Sequence, residues 1–274
     1  MRSLLGKTLL KKTAGERLLA DTLEASGLLD LETLNAEEDG CPHSRANALY
    51  RAYCARSDGT VSKWHHYFEI YEALFRPFQK QEGISILEIG VHKGGSLTLW
   101  KDYFHDSARI VGIDVEESCS RFQDEKQNIF VRVGDQSDCA FLRRLMTEFG
   151  PFHIVIDDGG HRVSQQLASF GCLYPQMAAN GVYVVEDTHT NLWDAFKDLG
   201  NHTSFVDVAR ALVTHLYDPY IHCSSGLPFR MDNPERLKAI DVTSFYAQTQ
   251  GVHFFDSIVA FRRRTRHFPR NEVR

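Results

Sequence analysis

The stretch ISILEIGVHKGGSLTLW, residues 84–100, consists of a short apolar run, a glycine-containing turn and the beginning of a helical pattern. Similar β-branched runs recur at residues 109–114, 129–135, 152–158 and 181–187. The segments between these runs have a helical pattern, which is typical of the βα units of a parallel sheet. Because the runs do not alternate strictly between apolar and polar residues, we expect helices on both faces of the sheet. The sequence therefore predicts an α/β fold, with the run at 253–264 as a further strand near the sheet edge.

Residues 1–35 have leucines and charged residues in the spacing of an amphipathic helix. Such a helix packs on the main domain or on a second subunit, which favours a homo-oligomer. The alternative is a basic helix that rests on a membrane surface, but nearby acids cancel much of its positive charge. We therefore expect a helical extension over residues 1–80, with helices near 45–55 and at 62–75, and a main domain over 81–274.

The composition limits the class of protein. A chain of 274 residues is long enough for one domain of catalytic size with a small appended element. Its net charge of −5 gives it no electrostatic attraction to nucleic acid, so a small-molecule partner is expected. Six cysteines without CxxC spacing, and no secretion leader, predict reduced thiols in a cytoplasmic protein. No apolar run has the roughly 18 residues that a membrane-spanning helix needs.

Acidic residues stand at the ends of all five predicted parallel strands. Any one of them could instead cap the helix that follows. Ligands of open parallel sheets bind outside the carboxyl ends of the strands, however, and acids at every strand end favour a binding site. These acids are Glu88, Asp114, Asp135, Asp157, Asp158, Glu186 and Asp187.

The turn after the first strand has features of a nucleoside-binding loop. Its glycines let the backbone approach a ligand, and the following helix begins with free N–H donors. The spacing matches neither the GxGxxG fingerprint nor a phosphate-binding loop. Asp114 can accept hydrogen bonds from ribose hydroxyls, which places a nucleoside across the first two strands. The residues expected to hold it are Glu88, Gly90, Gly95, Ser96, Asp114, Asp135, Gln136 and Asp157, while Lys63, His66 and Tyr67 either fold over it or pack as part of a helix.

The motifs IDDGGH and VVEDTH end neighbouring predicted strands, so that Asp158, Glu186 and Asp187 can converge. Three carboxylates share a pocket only at a cost, because like charges drive protons back onto them. A divalent cation removes this conflict, and oxygen ligands suit Mg²⁺ better than Zn²⁺. His161 would overhang the metal as a general base, the alternative being a structural or solvated histidine.

Over residues 62–195 the chain resembles the metal-dependent sugar O-methyltransferases of natural-product and surface-glycan pathways, which include the macrolide-sugar and macrocin O-methyltransferases. The correspondence lies in KWHHYFEIY, ILEIGVHKGGSLTLW, IVGIDV, VIDDGGH and YVVEDTHTNLW. This chain has Gly160 where the family usually has the serine of DDGSH. The resemblance implies a Rossmann-like class I methyltransferase fold with a mostly parallel seven-stranded sheet. It also implies S-adenosylmethionine as methyl donor, Mg²⁺ on Asp158, Glu186 and Asp187, and His161 as base.

The implied reaction is methyl transfer to a hydroxyl of a sugar on a small molecule or glycan, with Asp158 and His161 as catalytic residues. Trp193, His189 and Thr190 are expected on the acceptor side, the alternative for Trp193 being a place in the core. A nicotinamide-dependent oxidoreductase is an alternative, although the third glycine of its fingerprint is missing. A cephalosporin hydroxylase-like enzyme and a catalytically inactive donor-binding scaffold are two more. The clustered acids disfavour the scaffold alternative, because an inactive scaffold does not require clustered acids.

Overall fold

The structure, a computed structural model, describes residues 14–28, 30, 47–199, 203–221, 223 and 225–274. The chain divides into two compact units, residues 1–42 and 43–274. In the first unit, helix α1 spans Ala14–Ala25, within the region that the sequence predicted to be helical. The rest of that predicted helix lies mostly outside the described residues. The domain boundary between residues 80 and 81 stays a prediction.

The second unit is built on a seven-stranded sheet. Its strands are β1 (Ser85–Ile89), β2 (Arg109–Asp114), β3 (Ile129–Val133), β4 (Ile154–Asp157), β5 (Val182–Val185), β6 (Thr249–Phe254) and β7 (Val259–Arg263). Their order is β3-β2-β1-β4-β5-β7-β6. Strands β1 to β5 pair in parallel, and β7 is antiparallel to both β5 and β6. The predicted mostly parallel sheet is therefore confirmed.

The single strand predicted over residues 253–264 is wrong, because this segment is part of a hairpin. Strand β6 already begins at Thr249, and a turn separates it from β7. In this turn Ser257 has a positive φ of 64°, and the Phe255 N–H donates to the Ile258 carbonyl at 2.9 Å. A left-handed residue reverses the chain here, so that β6 forms the sheet edge and β7 lies inside it.

Helices cover both faces of the sheet, as the sequence predicted. They are α2 (Ala48–Cys54), α3 (Tyr67–Phe75), α4 (Gly95–Tyr103), α5 (Cys139–Phe149), α6 (Val163–Leu173), α7 (Phe205–Thr214) and α8 (Ser244–Gln248). Short 3-10 helices span Arg76–Phe78, Glu117–Phe122, Glu125–Gln127, Tyr174–Gln176, Thr188–Leu192, Asp194–Phe196, His215–Tyr220 and Leu227–Phe229. Side chains of α2, α3 and α4 form one hydrophobic core with the sheet, and those of α5, α6 and α7 form the other.

The core under α3 and α4 is aromatic. The rings of Tyr71 and Phe75 are stacked with centroids 5.5 Å apart, and the Trp100 ring stands edge-on to Tyr71 at 5.4 Å. All three side chains are fully buried, and burial of each contributes roughly 1.5–3 kcal/mol. The helix predicted over 62–75 begins only at Tyr67, so residues 62–66 form an irregular segment in front of it. This core holds that segment near the sheet.

The cysteines depart from the sequence-based prediction. Cys139 at the start of α5 and Cys172 near the end of α6 form a disulfide, so the expectation of reduced thiols is wrong for these two. Their separation of 33 residues gave no local signal of pairing. Cys54, Cys119 and Cys223 are free.

Among the described residues, no helix combines the length and the apolar character that crossing a membrane requires.

Candidate active site

A cavity of about 510 Å³ lies at the carboxyl ends of the parallel strands. The strand order reverses here between β1 and β4, which is where open α/β sheets bind their ligands. The cavity lining includes residues predicted for the donor, the metal and the base: Gly90, Asp114, Asp135, Gln136, Asp158, His161 and Asp187.

Gly90, in the turn after β1, lines this cavity and lies against the turn after β4. Its φ is +96°, and a Cβ added there would lie 2.1 Å from the carbonyl oxygen of Asp158. Only glycine allows the turn after β1 to approach the turn after β4 this closely.

Replacement of Gly90 by alanine is expected to destabilise the fold by about 3–5 kcal/mol, because backbone strain and a backbone clash add together. The turns around the cavity would move apart, so binding of the donor should weaken as well. Gly83→Ala is the matched control, since Gly83 has a φ of +67° and an added Cβ would meet nothing within 4 Å. Chemical denaturation should show that Gly83→Ala loses only about 1–2 kcal/mol. If both variants lost the same free energy of unfolding, the close approach of Gly90 to the Asp158 carbonyl would not be the cause.

Asp114 fixes the same glycine turn. Its Oδ2 accepts hydrogen bonds from the N–H groups of Val91 and His92, both at 2.9 Å. Its Oδ1 accepts from the Glu116 N–H at 2.9 Å. Burial opposes ionisation, but these backbone N–H groups hold the pKa of Asp114 below its usual value. The ionised carboxylate retains lone pairs for the ribose hydroxyls that the sequence predicted as its partners.

Three other residues predicted to hold the donor face the protein interior. Glu88 is fully buried and accepts hydrogen bonds from Ser96 Oγ at 2.7 Å and Trp100 Nε1 at 3.1 Å. Burial raises the pKa of Glu88 to about 7. A Cβ added to Gly95 would lie 2.3 Å from Thr60 Oγ1, so this glycine allows the approach of residue 60. These residues are not among those that line the cavity, and their contact with a donor stays a prediction.

Asp157 is likewise buried, and burial raises its pKa. It accepts hydrogen bonds from Gln136 Nε2 at 2.9 Å, from Tyr183 and from Ser169. The Oε1 of Gln136 accepts in turn from the Gly160 N–H at 2.8 Å. Gln136 therefore links a buried acid to the glycine turn before His161.

Asp158, His161 and Asp187 come together at the cavity. One ligand atom from each lies within 4.8 Å of the others. His161 Nε2 is 3.9 Å from Asp158 Oδ1 and 3.8 Å from Asp187 Oδ2. They meet because β4 and β5 are neighbouring parallel strands. His161 and Asp187 have positive φ values of 57° and 53°, a strain that is commonly found at functional sites.

Glu186, the third predicted metal ligand, contacts the group through a lysine. Lys63 Nζ donates to Asp158 Oδ2 at 2.5 Å and to Glu186 Oε2 at 2.8 Å. Burial and the neighbouring charge of Asp158 raise the pKa of Glu186 to about 8, although Lys63 opposes this rise. Burial disfavours the charge on Lys63, but Asp158 and Glu186 raise its pKa well above the usual value. The lysine is therefore a buried cation between two acids.

Tyr67 holds the remaining carboxylate. Its hydroxyl donates to Asp187 Oδ1 at 2.6 Å. The sequence suggested that Lys63 and Tyr67 either cover the donor or pack in a helix. In the structure Tyr67 begins α3 and packs in its core, and both residues contact the carboxylates. Contact of either residue with the donor stays a prediction.

A row of aromatic side chains leads from the cavity to the surface. The His161 and Phe196 rings are 6.3 Å apart, and Phe196 is followed by Trp193 at 6.1 Å. The Trp193 ring is 4.9 Å from His189, which is 5.8 Å from Trp64. The two tryptophans are 53% and 56% exposed. Thr190, also predicted on the acceptor side, is buried and donates to the Asp187 carbonyl at 2.7 Å.

The ligand atoms that the carboxylate side chains of this site offer suit a divalent cation such as Mg²⁺. Carboxylate oxygens are the ligands that Mg²⁺ prefers. Among the described residues, Glu186 Oε1 and the Tyr71 hydroxyl are buried without a well-formed hydrogen bond, and these two groups interact with each other. An acceptor oxygen of this kind is suited to a cation. His161 Nδ1 is also buried without such a hydrogen bond.

Known proteins resemble the chain, although no family model matches it. It is 34% identical over 199 residues to demethylmacrocin O-methyltransferase of Streptomyces fradiae, which is 67% of this chain and 48% of that protein. It is 39% identical over 178 residues, 61% of this chain and 46% of the relative, to 8-demethyl-8-alpha-L-rhamnosyl tetracenomycin-C 2'-O-methyltransferase of Streptomyces olivaceus. The chain thus spans about half the length of the curated relatives it matches.

Among solved structures, the methyltransferase MycE from the mycinamycin biosynthetic pathway is similar. Its complex with Mg, SAH and mycinamycin VI matches with a TM-score of 0.63 and 25% identity. The match covers 90% of this chain and 60% of that one. This likeness confirms the predicted Rossmann-like architecture.

Proposed function

We propose that this chain, which belongs to the family of sugar O-methyltransferases with a Rossmann-like class I methyltransferase fold, moves a methyl group from S-adenosylmethionine to a sugar hydroxyl of a natural product or surface glycan. The observation that carries the proposal is the meeting of Asp158, His161 and Asp187 beside the cavity at the strand ends. Relatives named for demethylmacrocin and for a rhamnosyl tetracenomycin-C support the sugar as substrate class.

The donor would occupy the cavity at the strand ends. Asp114 would bind the ribose hydroxyls, and the turn at Gly90 would lie against the donor because it has no side chain. Asp135 and Gln136 would face the adenine. Glu88, Gly95, Ser96 and Asp157 would hold these walls from behind.

The carboxylates of Asp158, Glu186 and Asp187 would hold Mg²⁺, which supplies Lewis-acid chemistry that lowers the pKa of a bound acceptor hydroxyl. His161 Nε2, which faces Asp158 and Asp187, would take the proton of that hydroxyl. The acceptor oxygen then forms a bond to the methyl carbon while the bond from that carbon to sulfur breaks. The products are the methyl ether and S-adenosylhomocysteine, with the proton on His161.

Trp64 and Trp193 would bind the acceptor. Both are half exposed, and the row that contains them ends on His161. Sugar rings have apolar C–H faces that pack on aromatic rings, while their hydroxyls point to polar groups. A sugar on this row would therefore direct a hydroxyl toward the proposed base.

The class of reaction can be tested by calorimetric titration of the protein with S-adenosylhomocysteine and with NADH. We expect binding of the first and none of the second, and the reverse preference would sustain the oxidoreductase instead. A screen of nucleotide-linked and lipid-linked sugars with labelled S-adenosylmethionine should then identify an acceptor.

Trp193→Ala is expected to raise the KM for that acceptor about 2–10-fold, because one aromatic contact is worth about 0.5–1.5 kcal/mol. The kcat and the affinity for S-adenosylhomocysteine should change little. Tyr217→Ala is the control, since Tyr217 is also an exposed aromatic residue, at 60%. Steady-state kinetics would count against the acceptor site if both variants had the KM of the wild type.

A cytoplasmic location and a homo-oligomeric state belong to the same proposal and rest on the sequence. Cell fractionation and light scattering during size-exclusion chromatography test them.

A further inference from the structure

The irregular segment before α3 and the first residue of α3 each donate a hydrogen bond to one of the two carboxylates that face His161. Lys63 binds Asp158 Oδ2, and Tyr67 binds Asp187 Oδ1. The opposite oxygens, Asp158 Oδ1 and Asp187 Oδ2, are the ones that lie 3.9 Å and 3.8 Å from His161 Nε2. Each carboxylate thus has one oxygen tied down and the other turned toward the same point.

We propose that Lys63 and Tyr67 are positioning residues that aim Asp158 and Asp187 at a divalent cation. The proposal rests on the proposed function for the presence of that cation. Groups that hydrogen-bond the ligands of a metal fix their orientation, and loss of such a group weakens metal binding. The two residues are here called the carboxylate brace.

The charges of the site agree with this role. Lys63 has a side chain that is only 4% exposed, and it contacts two of the three proposed ligand carboxylates. Three carboxylates with one ammonium leave two net negative charges, which one divalent cation neutralises. A buried ammonium at this point therefore favours a single metal ion over two.

The brace is held in place by its own backbone. The Tyr67 N–H donates to the Trp64 carbonyl at 3.1 Å, and the Phe68 N–H donates to the His65 carbonyl at 3.2 Å. The Tyr67 ring stands edge-on to Tyr71, with centroids 6.0 Å apart, in the aromatic core. A hydrogen-bond donor that is fixed in this way can determine the orientation of the carboxylate it binds.

The sharpest test is Tyr67→Phe, which removes one hydroxyl and keeps the ring. Titration with Mn²⁺, followed by the electron paramagnetic resonance of the free ion, should show a Kd about 10–100-fold higher than that of the wild type. Tyr103→Phe is the matched control: Tyr103 is also buried, and its hydroxyl donates to Glu72 at 2.9 Å. This control should bind Mn²⁺ as the wild type does.

Two further measurements separate positioning from general stability. Tyr67→Phe should have the S-adenosylhomocysteine affinity of the wild type and a melting temperature close to that of Tyr103→Phe. Lys63→Met should weaken Mn²⁺ binding by a similar factor, whereas Lys101→Met should not, because Lys101 donates to the carbonyls of Asp106 and Ala108 and not to the proposed ligands among the described residues.

The outcomes are distinct. Unchanged Mn²⁺ affinity in Tyr67→Phe, or an equal loss in Tyr103→Phe, overturns the brace alone. Tighter Mn²⁺ binding by Lys63→Met also overturns it, since the ammonium would then compete with the metal. A wild-type protein that binds S-adenosylhomocysteine but no Mn²⁺ overturns both the brace and the metal of the proposed function.

Discussion

Replacement of His161 by alanine is expected to lower kcat for methyl transfer by about 10²–10⁴-fold, the usual contribution of a positioned general base. The imidazole is the group whose Nε2 faces both Asp158 and Asp187, where the acceptor hydroxyl would lie. Asn191 Nδ2 donates to the His161 carbonyl at 3.1 Å and so holds the backbone of this residue independently of its ring. Binding of S-adenosylhomocysteine should therefore survive the substitution.

His161→Asn separates loss of the base from loss of the turn. The φ of residue 161 is 57°, a left-handed conformation that asparagine adopts more readily than alanine. Both variants should lose turnover to a similar extent, with affinity for S-adenosylhomocysteine measured by calorimetry as the control. A variant that loses donor binding in parallel with turnover would assign His161 to the donor site instead.

The position of the candidate site could be predicted from the sequence because parallel strands end at one edge. Asp158 and Asp187 follow strands with fully buried runs, and these strands are neighbours in the sheet. His161 is three residues from Asp158 on a glycine turn, so it had to lie nearby. Each step uses only short distances along the chain and the known geometry of a parallel sheet.

The direction of Glu88 could not be predicted in the same way. Leu87 and Ile89 belong to one hydrophobic core, and successive side chains of a strand point to opposite faces. Glu88 must then face the other core, where Ser96 and Trp100 satisfy it. Because both faces of β1 are buried, an apolar run with one acid did not reveal which neighbours the acid would have.

The carboxylate brace could not be predicted from local sequence patterns, for a different reason. Lys63 and Tyr67 are 95 and 120 positions away from the carboxylates they contact. The spacing of apolar residues predicted one helix over 62–75, which would have placed Lys63 on a regular helix face. In the structure α3 begins only at Tyr67, so the position of Lys63 depends on the folding of the whole chain.

Removal of the divalent cation is expected to abolish turnover, and Asp187→Asn should reproduce most of that loss. The cation would stabilise developing charge by several kcal/mol, which corresponds to a factor of about 10² or more in rate. Asparagine suits the φ of 53° at residue 187 and keeps the shape of the side chain, so the variant removes mainly one negative charge. Glu186→Gln should also weaken Mg²⁺ binding if the buried Glu186 Oε1 is a ligand.

The measurement compares methyl transfer before and after treatment with EDTA and again after addition of Mg²⁺. Asp256→Asn serves as the control. The side chain of Asp256, in the neighbouring β6–β7 turn, is 85% exposed, and the substitution removes the same charge as Asp187→Asn. Its turnover should match that of the wild type, while Asp187→Asn should need a far higher Mg²⁺ concentration to reach a measurable rate of methyl transfer. Wild-type turnover that persists in EDTA would leave the clustered acids without a catalytic cation. The charge on Lys63 would then have to balance Asp158 and Glu186 without a metal, while Asp187 accepts a hydrogen bond from the Tyr67 hydroxyl and lies 3.8 Å from His161 Nε2.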